Sequence, residues 1–232
     1  MPDLLAVVKT AAQLTDRVLV GYSGGKDSVV TLDLCARHFR NVRAFFMYQV
    51  PGLSFQEKAL RWAEHRYALE IIRIPHFEVS AFLRRGTYHE PDATVRPVSV
   101  AETYAYLREL TGFYWIAAGE RIADSTVRRA MIVKDGSINQ HRGRIYPLAD
   151  WRKHHVAAYI KQRRLRVSEE AAVLGHSFRD LSPRTLLSVK QHYPADYDRI
   201  LSMYPEAEAG AQWEILYGSG QSQEQPEQIP AV

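Results

Sequence analysis

Residues 17–28, RVLVGYSGGKDS, decide how this chain is read. Arg17–Tyr22 is a short run of apolar and β-branched residues, the pattern of a buried strand. Ser23-Gly24-Gly25-Lys26-Asp27-Ser28 follows at once. Ser28–Phe39 then carries apolar residues at Val29, Leu32, Cys35, Ala36 and Phe39, which is helical spacing. Two glycines between a strand and a helix let the backbone approach a ligand closely and aim several N–H groups at it. The N-terminus of the following helix adds positive potential. Ser23 and Ser28 offer hydroxyls and Lys26 a point charge. The combination suits a terminal phosphate, a pyrophosphate or a phosphosulfate. It is not a Walker A loop, because Asp27 stands where that loop requires Ser or Thr. Nor is it the G-x-G-x-x-G dinucleotide fingerprint. An ordinary turn capped by Ser28 is the plainer alternative. A turn that collects two glycines, a lysine and two serines behind a buried strand favours the anion cup.

Outward from this stretch, Val42–Tyr48, Glu70–Ile74 and Phe113–Ala118 read as further strands, with a short one at Ile145–Leu148. Residues 4–14, Ser54–Leu69, 77–85, Val98–Leu110 and Lys153–Arg164 read as helices. Arg85–Pro97 reads as a polar loop. The alternation predicts an α/β fold, a doubly wound parallel sheet in a Rossmann-like sandwich, with ligands beyond the carboxyl ends of the strands. After Val167 the pattern changes to short helices near 183–192 and 194–203. The expected organisation is a nucleotide-binding domain over 1–166, a helical C-terminal extension over 167–217 and a disordered tail over 218–232, GSGQSQEQPEQIPAV.

The composition fits one large domain, or one with a small appendage: 232 residues, 46% hydrophobic and 24% charged. The longest apolar run, Phe113–Ala118, is too short for a membrane helix. Met1-Pro2-Asp3-Leu4 lacks the basic start of a secretory signal, so a cytoplasmic protein is expected. The single cysteine, Cys35, excludes an internal disulfide, an all-cysteine iron–sulfur cluster and a cysteine-rich zinc site. It shares the apolar spacing of its helix and reads as a buried thiol. His154 and His155 have no cysteine or carboxylate partner at ligand spacing, so no metal site is expected there. The net charge of +4 is unevenly spread: residues 120–166 hold twelve Lys/Arg against four Asp/Glu. That excess points to an anionic partner, a nucleotide or a nucleic acid backbone.

The SGGKDS stretch after a strand resembles the PP-loop of the ATP pyrophosphatase superfamily, whose fold is that of the adenine nucleotide alpha hydrolases. Two further segments resemble its 3′-phosphoadenylylsulfate (PAPS) reductase-like branch. One is Gly119-Glu120-Arg121 followed by Ser125 and Arg128, similar to that branch's G-x-R…S-x-x-R. The other is Pro147-Leu148-Ala149-Asp150-Trp151, similar to PLxDW. Physically, Arg121 and Arg128 at the mouth of the site suit bidentate contacts to phosphate or sulfate oxygens. Asp150 suits a helix cap and Trp151 a packing role. The resemblance implies that Ser23, Gly24, Gly25, Lys26, Asp27 and Ser28 bind the anionic end of ATP or PAPS, with Gly52, Gly119 and Ser125 lining the site. It gives Lys26, Asp27, Arg121 and Arg128 the catalytic roles, Asp27 orienting the loop or a Mg²⁺ ion.

The chain departs from the reductases in one decisive respect. Residues 167–232 contain no cysteine, whereas the reductases carry a nucleophilic one in a C-terminal E-C-G-x-H motif. Val50-Pro51-Gly52 also stands where that family often has Asp-Thr-Gly. The expected function is therefore cleavage of ATP at the α–β bond with adenylylation of an acceptor, rather than self-sufficient PAPS reduction. One alternative is a sulfonucleotide-using protein that modifies nucleic acid with the thiol of a partner protein. The other is a non-catalytic nucleotide sensor or assembly protein. A homo-oligomer is compatible with each, and no membrane partner is expected.

Overall fold

The computed structural model describes residues 3–217. The tail read as disordered, 218–232, lies outside the described residues. The elements follow in order: α1 (Ala6–Leu14), β1 (Arg17–Gly21), α2 (Lys26–His38), β2 (Asn41–Tyr48), α3 (Ser54–Tyr67), β3 (Ile71–Pro75), α4 (Phe77–Arg85), α5 (Val100–Thr111), β4 (Ile116–Ala117), α6 (Thr126–Asp135), β5 (Ile138–Asn139), β6 (Arg144–Ile145), α7 (Lys153–Arg163), α8 (Glu170–Leu174), α9 (Pro183–His192), α10 (Pro194–Met203) and α11 (Ala207–Tyr217).

The six strands form one sheet in the order β3-β2-β1-β4-β6-β5, parallel except for β5, which runs antiparallel to β6 at the edge. The expected doubly wound α/β architecture is therefore present. The chain first winds one way from β1 to β3, then crosses back to place β4 on the other side of β1. The order reverses between β1 and β4, where Val20 pairs with Ala117. Such a switch point opens a crevice at the carboxyl ends of the two strands.

Burial follows the pleat of β1. Val18 and Val20 enter a large cluster with Val8 of α1, Leu32 and Cys35 of α2, Leu60 of α3 and Val156 of α7. Leu19, pointing the other way, packs with Phe45, Ile116 and Leu107 of α5. Fully burying a Val or Leu side chain contributes about 1.5–3 kcal/mol each, so both faces of this central strand hold the sheet together. Cys35 is fully buried, as its spacing predicts, and burial pushes its thiol pKa up.

A buried carboxylate ties three helices. Asp33 of α2 accepts from Tyr67 Oη at 3.0 Å and Tyr159 Oη at 2.7 Å, and Arg163 Nε lies 3.4 Å away. Another long-range contact starts α3. Leu53, its N-cap, has no capping side chain, and Asp196 of α10 supplies the acceptor, taking the Ser54 N–H at 2.8 Å and the Ser54 hydroxyl at 2.6 Å. The C-terminal helices otherwise gather round their own apolar cluster, with Leu186, Val189, Ile200 and Tyr204 packed against Val50, Leu53 and Phe55. Among the described residues no helix is long and apolar enough to cross a membrane.

Several expectations need correction. The strand expected over Phe113–Ala118 is confined to Ile116–Ala117, because the Tyr114 carbonyl is taken by Arg108 Nε at 2.8 Å. The short strand is Arg144–Ile145 rather than Ile145–Leu148. Helix α6 and strand β5 occupy a stretch with no expected element. Asp150 is exposed and does not cap α7. Arg152 is the N-cap, and its N–H donates to His155 Nδ1 at 3.1 Å. Trp151 does pack as expected: it is buried, and its indole N–H donates to the Leu4 carbonyl at 2.8 Å.

Candidate functional site

The β1–α2 connection is shaped by its glycines and closed by its serines. Gly24 takes φ +74°, a left-handed conformation that glycine adopts without steric penalty. Gly25 is the N-cap of α2, and no side chain caps that helix. The first-turn amides of α2 thus face the cup without a competing side chain, at the positive end of the helix dipole. Ser28 works from inside the turn. Its hydroxyl accepts from the Ser23 N–H at 3.0 Å and donates to the Gly25 carbonyl at 2.9 Å. The Ser23 hydroxyl donates to it at 3.1 Å. Ser28 is buried, whereas Ser23 and Lys26 face solvent.

The β4–α6 connection reaches the same place. A Cβ on Gly119 would lie 3.0 Å from the Asp27 carbonyl carbon and 3.1 Å from Thr31 Oγ1, so a larger residue would push against the first turn of α2. Arg121 follows. The sequence reading expects it at the mouth of the site, but its side chain is buried, 3% exposed, with Nε 3.4 Å from Asp27 Oδ1. Its Nη2 donates to Asp124, and Asp124 Oδ2 also accepts from Arg128 Nη1 at 3.2 Å. Arg128 is half-exposed on α6. Ser125 caps α6 by accepting the Arg128 N–H at 3.2 Å.

The pair of buried Arg121 and half-buried Asp27 is incompletely satisfied. Asp27 Oδ1 and Arg121 Nε and Nη1 have no hydrogen-bond partner. Burial raises the Asp27 pKa, with the Arg121 charge opposing the rise and Asp124 adding to it. A buried guanidinium with idle donors is costly unless an anion completes it. The residues present therefore fit the phosphate end of a nucleotide. For Mg²⁺ the fit is thinner: no cluster of three or more His, Cys, Asp or Glu suited to a metal occurs among the described residues, and Asp27 is the carboxylate the loop itself offers.

Gly52, also at φ +72°, lies in the turn after β2, where a Cβ would come within 3.4 Å of Arg199 of α10. The sequence reading passes over two groups. Arg144 is buried between the rings of Tyr104 at 4.5 Å and Tyr146 at 5.5 Å, with Glu120 Oε1 3.9 Å away. Residues 168–177 come against the two loop glycines, and the Ser168 N–H donates to the Gly24 carbonyl at 3.0 Å. The cation–aromatic stack leaves no periodic signal, and the second contact joins residues far apart in the chain. The histidines offer little. His76 accepts from the Glu78 N–H at the start of α4. His141 lends its carbonyl to the Tyr114 hydroxyl.

An uncapped helix at a glycine turn, set across a switch point from a buried arginine, places this chain among the doubly wound α/β proteins. The chain belongs to the phosphoadenosine phosphosulfate reductase domain family, whose model matches residues 17–169. No curated protein matches the chain. Among solved structures it is similar to an NH3-dependent NAD synthetase from Campylobacter jejuni, at TM-score 0.49 and 15% identity, covering 98% of this chain and 96% of that one. It is also similar to the U34-tRNA thiolase NcsA from Methanococcus maripaludis, at TM-score 0.49 and 16% identity, covering 89% of this chain and 78% of that one.

Proposed function

We propose that this chain is an adenine-nucleotide enzyme that cleaves ATP between its α- and β-phosphates, transfers AMP to an acceptor and releases pyrophosphate. The observation that carries the reading is the couple of buried Arg121 and half-buried Asp27 beside the uncapped start of α2, with idle polar atoms on both partners. The amides of residues 24–28 and the Ser23 hydroxyl receive the pyrophosphate portion. Lys26 neutralises the charge that builds there as the bond breaks. Arg121 holds the α-phosphate, and Arg128, exposed on α6, meets the acceptor's anionic group. A nucleophile on the acceptor attacks the α-phosphorus. The bond from that phosphorus to the bridging oxygen breaks, its electron pair leaves with pyrophosphate, and the acceptor's proton passes to water. The protein contributes position and charge, and losing one such donor costs about 10²–10³ in rate. A Mg²⁺ ion would arrive with the phosphates and lower the charge on the leaving group, with Asp27 as its protein ligand.

Incubating the chain with α-labelled ATP and Mg²⁺ tests this. AMP and pyrophosphate are expected, and ADP as the product overturns it. Family membership favours one second reading, in which PAPS occupies the same cup. Cys35 is fully buried, so the thiol for that chemistry would come from a partner protein. Tighter binding of PAPS than of ATP in a competition titration selects it. Nucleotide binding without turnover of either selects a sensor.

A further inference from the structure

We propose that Ser177 is a phosphate ligand, so that residues 168–178 of the C-terminal extension form the second wall of the cup. The inference rests on the nucleotide reading above and deepens it. A Cβ on Gly25 would lie 3.1 Å from Ser177 Oγ and 3.4 Å from Ser23 Oγ, so two hydroxyls flank the N-cap of α2 from different parts of the chain. The Ser177 side chain is half-buried, and its hydroxyl has no hydrogen-bond partner among the described residues. A neutral hydroxyl suits this position: it donates to an anion without needing a counter-charge of its own.

The wall is held in place from several directions. The Ser168 N–H bonds the Gly24 carbonyl, and a Cβ on Gly24 would lie 3.1 Å from Ser168 Cβ. The glycines therefore serve both the ligand and the close approach of this segment. Ser168 Oγ is buried between Gly24 and the Glu170 carboxylate. Glu170 is fully buried. Burial raises its pKa, while the Ser168 hydroxyl and the Phe178 N–H nearby pull it down. At the far end, the Arg179 carbonyl accepts from Gln49 Nε2 at 2.9 Å. Ser177, half-buried beside Gly25, presents its hydroxyl next to the N-cap of α2.

Calorimetric titration of the full chain with inorganic pyrophosphate, ATP and AMP tests the assignment in the wild type, Ser177→Ala and Ser177→Thr. Ser177→Ala is expected to weaken pyrophosphate and ATP about tenfold or more, the scale of one hydrogen bond to a charged group, and AMP less than about twofold. Ser177→Thr, which keeps the hydroxyl, restores binding. Wild-type affinity for pyrophosphate in Ser177→Ala overturns the proposal, as does an equal loss of AMP and pyrophosphate, which marks a packing role. A wild type that binds none of the three overturns the nucleotide reading itself.

Discussion

The two connections that leave the sheet at its switch point are built by opposite means. The β1–α2 turn relies on backbone: a left-handed Gly24, an uncapped helix start and a Ser28 hydroxyl that holds the turn together from within. The β4–α6 connection relies on side chains, with Arg121 buried between Asp27 and Asp124 and Arg128 reaching back from the surface. A backbone cup is set by the path of the chain and tolerates few changes of shape. A buried ion pair is set by charge and fails when one member is removed.

Arg121→Ala is the strongest test of that contrast. It leaves the half-buried Asp27 and the more enclosed Asp124 without their shared partner, and removing one partner of a buried pair costs up to about 3–5 kcal/mol. Urea unfolding should show a loss on that scale, and Arg121→Lys should recover little of it because lysine cannot fork to two carboxylates. Next comes Gly119→Ala, whose methyl would press on the Asp27 backbone. About 1–3 kcal/mol of stability should go, together with nucleotide affinity, because α2 and the β4–α6 connection must move apart. Lys26→Ala should leave the melting temperature unchanged, since the side chain is exposed, while ATP binding weakens about 10–100-fold in the same titration. Arg128→Ala should matter least. Its exposed bond to Asp124 is worth at most about 1 kcal/mol, and a larger loss of stability would show that the surface arm is also structural.

The backbone half of the site was the more legible in sequence. Glycines, serines and a lysine between an apolar run and a helical pattern mark a strand-to-helix turn, and the structure has that turn between β1 and α2. The alternation of strands and helices also anticipated the parallel sheet and the short helices at 183–192 and 194–203, which fall at α9 and α10. The side-chain half was half legible. The spacing of Arg121, Ser125 and Arg128 suggested a binding role, but burial of Arg121 depends on Asp124 and on how Gly119 docks against α2, neither of which has a periodic signature. Ser125 and Gly136 bracket α6 as cap residues in the sequence and could have announced that helix. Asp150 misled because a good capping residue two positions early does nothing once Arg152 and His155 close the turn. Ser177 and Asp196 were out of reach, since each meets a partner about 140–150 positions away along the chain.

Cys35 lies on the buried side of the same helix whose first residue is Lys26. As the chain's lone sulfhydryl it can meet an alkylating reagent only when α2 lifts from the sheet. The rate of its labelling is therefore a clock for that opening, and an occupant held at the helix tip should slow the clock without touching the sulfur.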